Sequence, residues 1–106
     1  VETLLFEYPA AKTVPRRAHV GVVGSGDLEI ILEPSPEPRT HIVVRTGCEG
    51  FGDTWKLVLD RFFSANDVAA TVTINDFGAT PGVVTMRLAQ ALEVSRGHEE
   101  NQGEFC

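Results

Sequence analysis

The residue in this chain best placed for covalent chemistry is a serine between two glycines, in Val23-Gly24-Ser25-Gly26-Asp27-Leu28. Glycines on both sides leave room for close approach and permit positive φ, so the hydroxyl of Ser25 is open to another molecule. Such a serine can be modified by a separate enzyme without catalysing anything itself. The pattern is not the nucleophile elbow Gly-x-Ser-x-Gly, because Val23 stands two residues before Ser25. The loop is also shorter than a Walker phosphate cradle and has no lysine. Gly, Ser and Asp are equally the ordinary residues of a chain reversal, and that reading stays open here.

A second glycine-containing stretch, Asn75-Asp76-Phe77-Gly78-Ala79-Thr80-Pro81-Gly82, precedes a helical pattern. Free N–H groups at a helix start can receive an anion such as a pyrophosphate. A sharp turn and a capped helix account for the same residues, and the structural reading is the simpler one. Asp76 has the chemistry of a general base, yet no partner carboxylate or histidine accompanies it in the sequence. Cys48 and Cys106 lie far apart and form neither a disulfide framework nor a metal signature, so both read as free thiols. His19, His41 and His98 share no ligand spacing with them, and no metal is assigned.

These residues need a scaffold, and the hydrophobic periodicity supplies one. Leu4–Tyr8 reads as a strand ended by Pro9, and residues 10–17 as a loop. Residues 18–23 and 28–33 read as the two arms of a hairpin that carries Ser25 at its tip. Leu28, Ile30 and Leu32 share one face of the second arm; Ile31 falls on the polar face, where a neighbouring chain would cover it. Three prolines close residues 34–38 as a turn, and residues 41–46 resume as a strand. Trp55, Val58, Leu59, Phe62 and Phe63 follow helical spacing, with Asp53 as N-cap. Residues 70–74 alternate as the last strand, with the threonines outward or at an edge. Thr80 and Pro81 then open a helix whose buried stripe is Val84, Leu88, Ala91 and Leu92, running to about Ser95 and stopped by Gly97.

The order β-β-β-β-α-β-α predicts an α+β fold: two layers, a largely antiparallel sheet with both helices on one face. Strand order does not follow from the pattern. Residues 1–97 form the domain and 98–106 a polar, frayed tail. At 106 residues the chain is long enough for one core and too short for a deep enclosed active site. A net charge of −6 opposes nonspecific nucleic-acid binding and favours partners with basic docking patches. No run is apolar over a membrane-spanning length and no signal peptide is evident, which predicts a cytoplasmic protein.

Taken together, Val20–Glu29 and Asp76–Val84 resemble the acyl carrier (delta) subunit of bacterial malonate decarboxylase. The helix over Leu88–Glu93 and the isolated Trp55 also look like family features, and the likeness covers roughly Leu4 to Ser95. It implies a carrier and not a catalyst, with no catalytic residue of its own. The implied attachment point is Ser25, carrying 2'-(5''-phosphoribosyl)-3'-dephospho-CoA through a phosphodiester. Gly24 and Gly26 would give clearance, and their amides would help position the phosphate. Asp27 would repel phosphate, so it is read as a turn former or a partner contact. The implied partners are the acyl-carrier transferase (alpha) and decarboxylase (beta and gamma) subunits, a malonyl transferase, and the prosthetic-group transferase that loads the carrier.

Asn75 stands where many relatives are expected to have histidine, and residues 47–54 lack the Asn-Gly turn associated with the family. The chain also lacks the Asp-Ser-Leu helix start of fatty-acid-type carriers, which implies a different fold and a different loading enzyme. Two other readings remain at this stage. The acyl carrier subunit of citrate lyase is similar in size and uses the same group, although the 77–82 turn weighs toward the malonate enzyme. A scaffold or interaction subunit with no covalent group would leave Ser25 as a turn residue only.

Overall fold

A computed structural model describes residues 1–97. The expected tail at 98–106, with His98 and Cys106, lies outside the described residues. The elements run β1 (Glu2–Pro9), β2 (Ala18–Gly21), β3 (Leu28–Pro34), β4 (Arg39–Thr46), α1 (Gly52–Ala65), β5 (Ala70–Asp76) and α2 (Pro81–Ser95). They form the two-layer α+β fold that the sequence predicts. The sheet has the order β1-β4-β5-β3-β2, and every pairing is antiparallel except β4 with β5. That parallel pair is joined by α1, since a parallel connection must cross over the sheet.

Two-residue alternation decides which face is covered. Leu4, Val44, Ile74, Ile30 and Val20 form one row across all five strands. All but Leu4 are buried, and Leu4 packs against the core from the edge. Both helices lie on this side. Trp55, Leu59, Phe62 and Phe63 of α1 and Val84, Leu88, Ala91 and Leu92 of α2 complete a single core. Tyr8 stacks on Phe63 with ring centroids 5.4 Å apart, and its hydroxyl donates to Asp60 Oδ1 at 2.6 Å. Burial and then that hydrogen bond push the Tyr8 phenol well above its ordinary range. The opposite row, Leu5, Val43, Thr73, Ile31 and His19, has no helix over it. Ile31 is only half-buried there and Leu5 is exposed. The threonines of β5 point to this bare face from the centre of the sheet, not from an edge.

Local chemistry sets the ends of the elements. Thr80 caps α2 by accepting from the Val83 N–H at 3.3 Å, with Pro81 at the first helical position. Gly97, at φ +90°, follows the α2 C-terminus as expected. Asp53 is not the N-cap of α1. The helix begins two residues earlier than that cap implies, the Trp55 N–H donating to the Phe51 carbonyl at 2.9 Å, so Phe51 holds the cap position. Asp53 sits in the first turn, where its charge suits the helix dipole.

Candidate functional site

The first arm of the hairpin is shorter than its apolar run. It stops at Gly21, whose φ of +83° turns the chain out of the sheet. A Cβ at Gly21 would fall 2.0 Å from the Leu28 carbonyl oxygen, so only glycine fits. Val22 and Val23 therefore leave the ladder and are exposed, instead of extending the strand to residue 23.

Beyond them Gly24–Asp27 makes a tight turn. The Asp27 N–H donates to the Gly24 carbonyl at 3.1 Å, and Gly26 holds φ +78° at the third position, as a type II turn requires. Ser25 occupies the second position and is exposed. The turn is anchored from behind: Gly26 N–H donates to the Phe77 carbonyl at 2.8 Å and Phe77 N–H to the Asp27 carbonyl at 2.9 Å. These two bonds continue the β3–β5 pairing past Leu28 and Asp76. They bring together the two glycine-containing stretches that lie fifty residues apart in sequence. A Cβ on Gly78 would lie 3.8 Å from the Gly26 nitrogen, in ordinary contact with the turn.

Asp27 has a defined role. Its carboxylate accepts from Arg87 Nη2 at 2.7 Å and Nε at 3.2 Å, a two-pronged pair that ties the hairpin to α2. The Arg87 hydrogen bonds, helped by the Leu28 N–H, hold this carboxyl below its usual range. It is a turn former whose charge is committed within the chain. The Gly26 amide is likewise committed, so it is not free to position a phosphate as the sequence suggests. The clearance is real, since nothing lies within 4 Å of a Cβ built on Gly26 and only the Val22 side chain, at 3.8 Å, approaches one on Gly24.

The second stretch is organised around Asp76. Asp76 is buried; its Oδ1 accepts from the N–H groups of Ala79 at 2.9 Å and Gly78 at 3.3 Å, and its Oδ2 from the Thr46 hydroxyl at 2.8 Å. With both oxygens engaged, Asp76 organises the turn into α2, and it and Thr80 take up the amides of Gly78, Ala79, Val83 and Val84. An open groove of about 650 Å³ runs from Ser25 and Val23 past Phe77 and Asn75 to Arg45 and Cys48. Cys48 is exposed and unbridged. Neither Arg45 nor Arg87 was legible as part of this site, because only the strand order and the fold of α2 bring them to it.

The family model described as malonate decarboxylase delta subunit (MdcD) matches residues 15–95. The chain belongs to this family. The malonate decarboxylase acyl carrier protein of Azotobacter vinelandii is 52% identical over 94 residues, covering 88% of this chain and 95% of its own. Its namesake in Pseudomonas aeruginosa is 49% identical over 100 residues, covering 93% of this chain and all of its own. Among solved structures, a chain from the crystal structure of a Pseudomonas malonate decarboxylase hetero-tetramer in complex with malonate superposes with a TM-score of 0.85. It is 45% identical, over 90% of this chain and 99% of that one. No helix is long and apolar enough to cross a membrane among the described residues.

Proposed function

We propose that this chain is the acyl carrier subunit of a malonate decarboxylase, and that Ser25 bears its prosthetic group. The observation that carries the reading is the exposed Ser25 hydroxyl at the apex of an anchored turn, in a family whose named members are acyl carrier proteins. The residues fit a bulky phosphodiester substituent: Ser25 is flanked by glycines with open space around them, and the turn is held from behind through backbone atoms. The group is 2'-(5''-phosphoribosyl)-3'-dephospho-CoA, which supplies a terminal thiol for acyl thioesters.

What the chain contributes is placement. A tethered thioester is presented to successive active sites at high local concentration, so the carrier needs no nucleophile–base pair of its own. Bound at Ser25, the group would supply the thiol on which acetyl and malonyl are carried as thioesters while malonate is converted to acetate and carbon dioxide. The alpha, beta and gamma subunits, a malonyl transferase and the loading transferase are the partners in this scheme.

The test is the intact mass of the native protein with peptide mapping across residues 18–33. The expected result is an added mass equal to the arm, located on Ser25, and a Ser25→Ala chain that folds, stays bare and gives an inactive reconstituted complex. A wild-type chain still unmodified after incubation with the loading transferase and precursor would overturn the proposal. So would full turnover with Ser25→Ala.

A further inference from the structure

We infer that the groove beside Ser25 is the resting cradle of the arm's proximal half, with Arg45 holding its phosphates and Phe77 and Val23 covering its nucleoside. This rests on the reading of Ser25 as the attachment point. Four of the other basic side chains, Arg17, Arg39, Lys56 and Arg87, form ion pairs with carboxylates. Arg45 is exposed and has no hydrogen-bond or ion-pair partner among the described residues, yet it lines the same groove as Ser25. In a chain of net charge −6, an uncommitted guanidinium beside an open groove is where an anion is least repelled and most strongly drawn.

The sheet register gives the distance. Arg45, Asn75 and Glu29 are consecutive partners on β4, β5 and β3, so Arg45 stands two strands from the strand that leads out of the Ser25 turn. Arg45 is thus about 10 Å across the sheet from Glu29, and Ser25 lies four residues further toward the tip, a combined span for the phosphoribosyl-nucleotide half of the arm. Two acidic residues line the groove as well, and both are held by local donors. Glu29 accepts from Asn75 Nδ2 at 2.9 Å and is 2.7 Å from His19 Nε2, while Asp76 is buried under Thr46 and two amides. The phosphates are thereby directed to the Arg45 end. Phe77 and Val23 form the apolar rim nearer Ser25, exposed by 41% and 65%, and an aromatic face of this kind suits stacking by a base.

The experiment compares apo and loaded full-length chain, with loading verified by intact mass. In amide NMR spectra the arm is expected to shift Arg45, Asn75 and Phe77 in addition to residues 24–26. A nucleotide pyrophosphatase should then cleave the arm several-fold more slowly on wild-type holo-protein than on holo Arg45→Gln, with Arg45→Lys in between. Loaded chain whose shifts stay within residues 22–27, and equal cleavage rates in all three proteins, would overturn the cradle while leaving Ser25 as the carrier site. Shifts at Val23 and Phe77 that arise only when a partner subunit is added would overturn it too, marking that rim as a protein contact. A chain that takes up no mass removes both proposals together.

Discussion

The hairpin tip at 24–27 and the corner at 76–82 are built from similar residues and end in opposite states. Each contains two glycines and an aspartate. At the corner the aspartate is buried and collects three hydrogen bonds, and Thr80 caps the helix that follows. At the tip the aspartate faces a single arginine, the backbone is pinned from one side only, and the serine is left outside. Composition does not separate a structural corner from a presentation site; the number of satisfied polar groups does.

Substitutions at the two regions should therefore part company. The largest effect is expected from Asp76→Ala, which strands the part-buried amides of Gly78 and Ala79 and leaves the buried Thr46 hydroxyl with Cys48 alone. It should cost about 3 kcal/mol, read as a fall in denaturation midpoint with an unchanged m-value. Retention of wild-type stability by this variant would erase the contrast. Gly21→Ala comes next, at about 2 kcal/mol or more from the positive φ together with the clash on the Leu28 carbonyl. Gly26→Ala has the same backbone sign but open space, so about 1 kcal/mol is expected. Equal costs at the two glycines would mean that the loop absorbs the clash. Ser25→Ala should change stability by less than about 0.5 kcal/mol, although it removes the proposed attachment point altogether.

The Asp27–Arg87 pair also makes the tip sensitive to acid. The Asp27 carboxyl is held low in the folded chain, so it binds fewer protons there than when unfolded. Its contribution is therefore present above the unfolded carboxylate value and is lost as pH falls through the folded one. An Asp27→Asn variant should melt below wild type at neutral pH, with the gap closing below about pH 4. A gap that persists in acid would show that the Arg87 contact acts through shape and not charge.

Much of this layout is legible in the residues themselves. Helical spacing from Trp55 to Phe63 and the Thr80-Pro81 start need only local rules, and both hold in the structure. The end of β2 at Gly21 is hidden in the sequence, because Val22 and Val23 continue an apolar run. The clash that decides the matter comes from Leu28, across the hairpin. The parallel β4–β5 pair had a signal, a helix of crossover length between two strands, but the order of the other three strands had none. The meeting of Gly26 with Phe77 depends on that order, and that of Asp27 with Arg87 on where α2 packs, and the two span fifty to sixty residues.

The paired bonds between Gly26, Asp27 and Phe77 have a mechanical consequence. A tether swinging from a loose loop samples a volume enlarged by every excursion of its root, and that volume grows with the cube of the radius. Here the root is hydrogen-bonded to the residue that follows the central strand of the sheet, so an arm attached at Ser25, as proposed above, would explore a shell set by its own length.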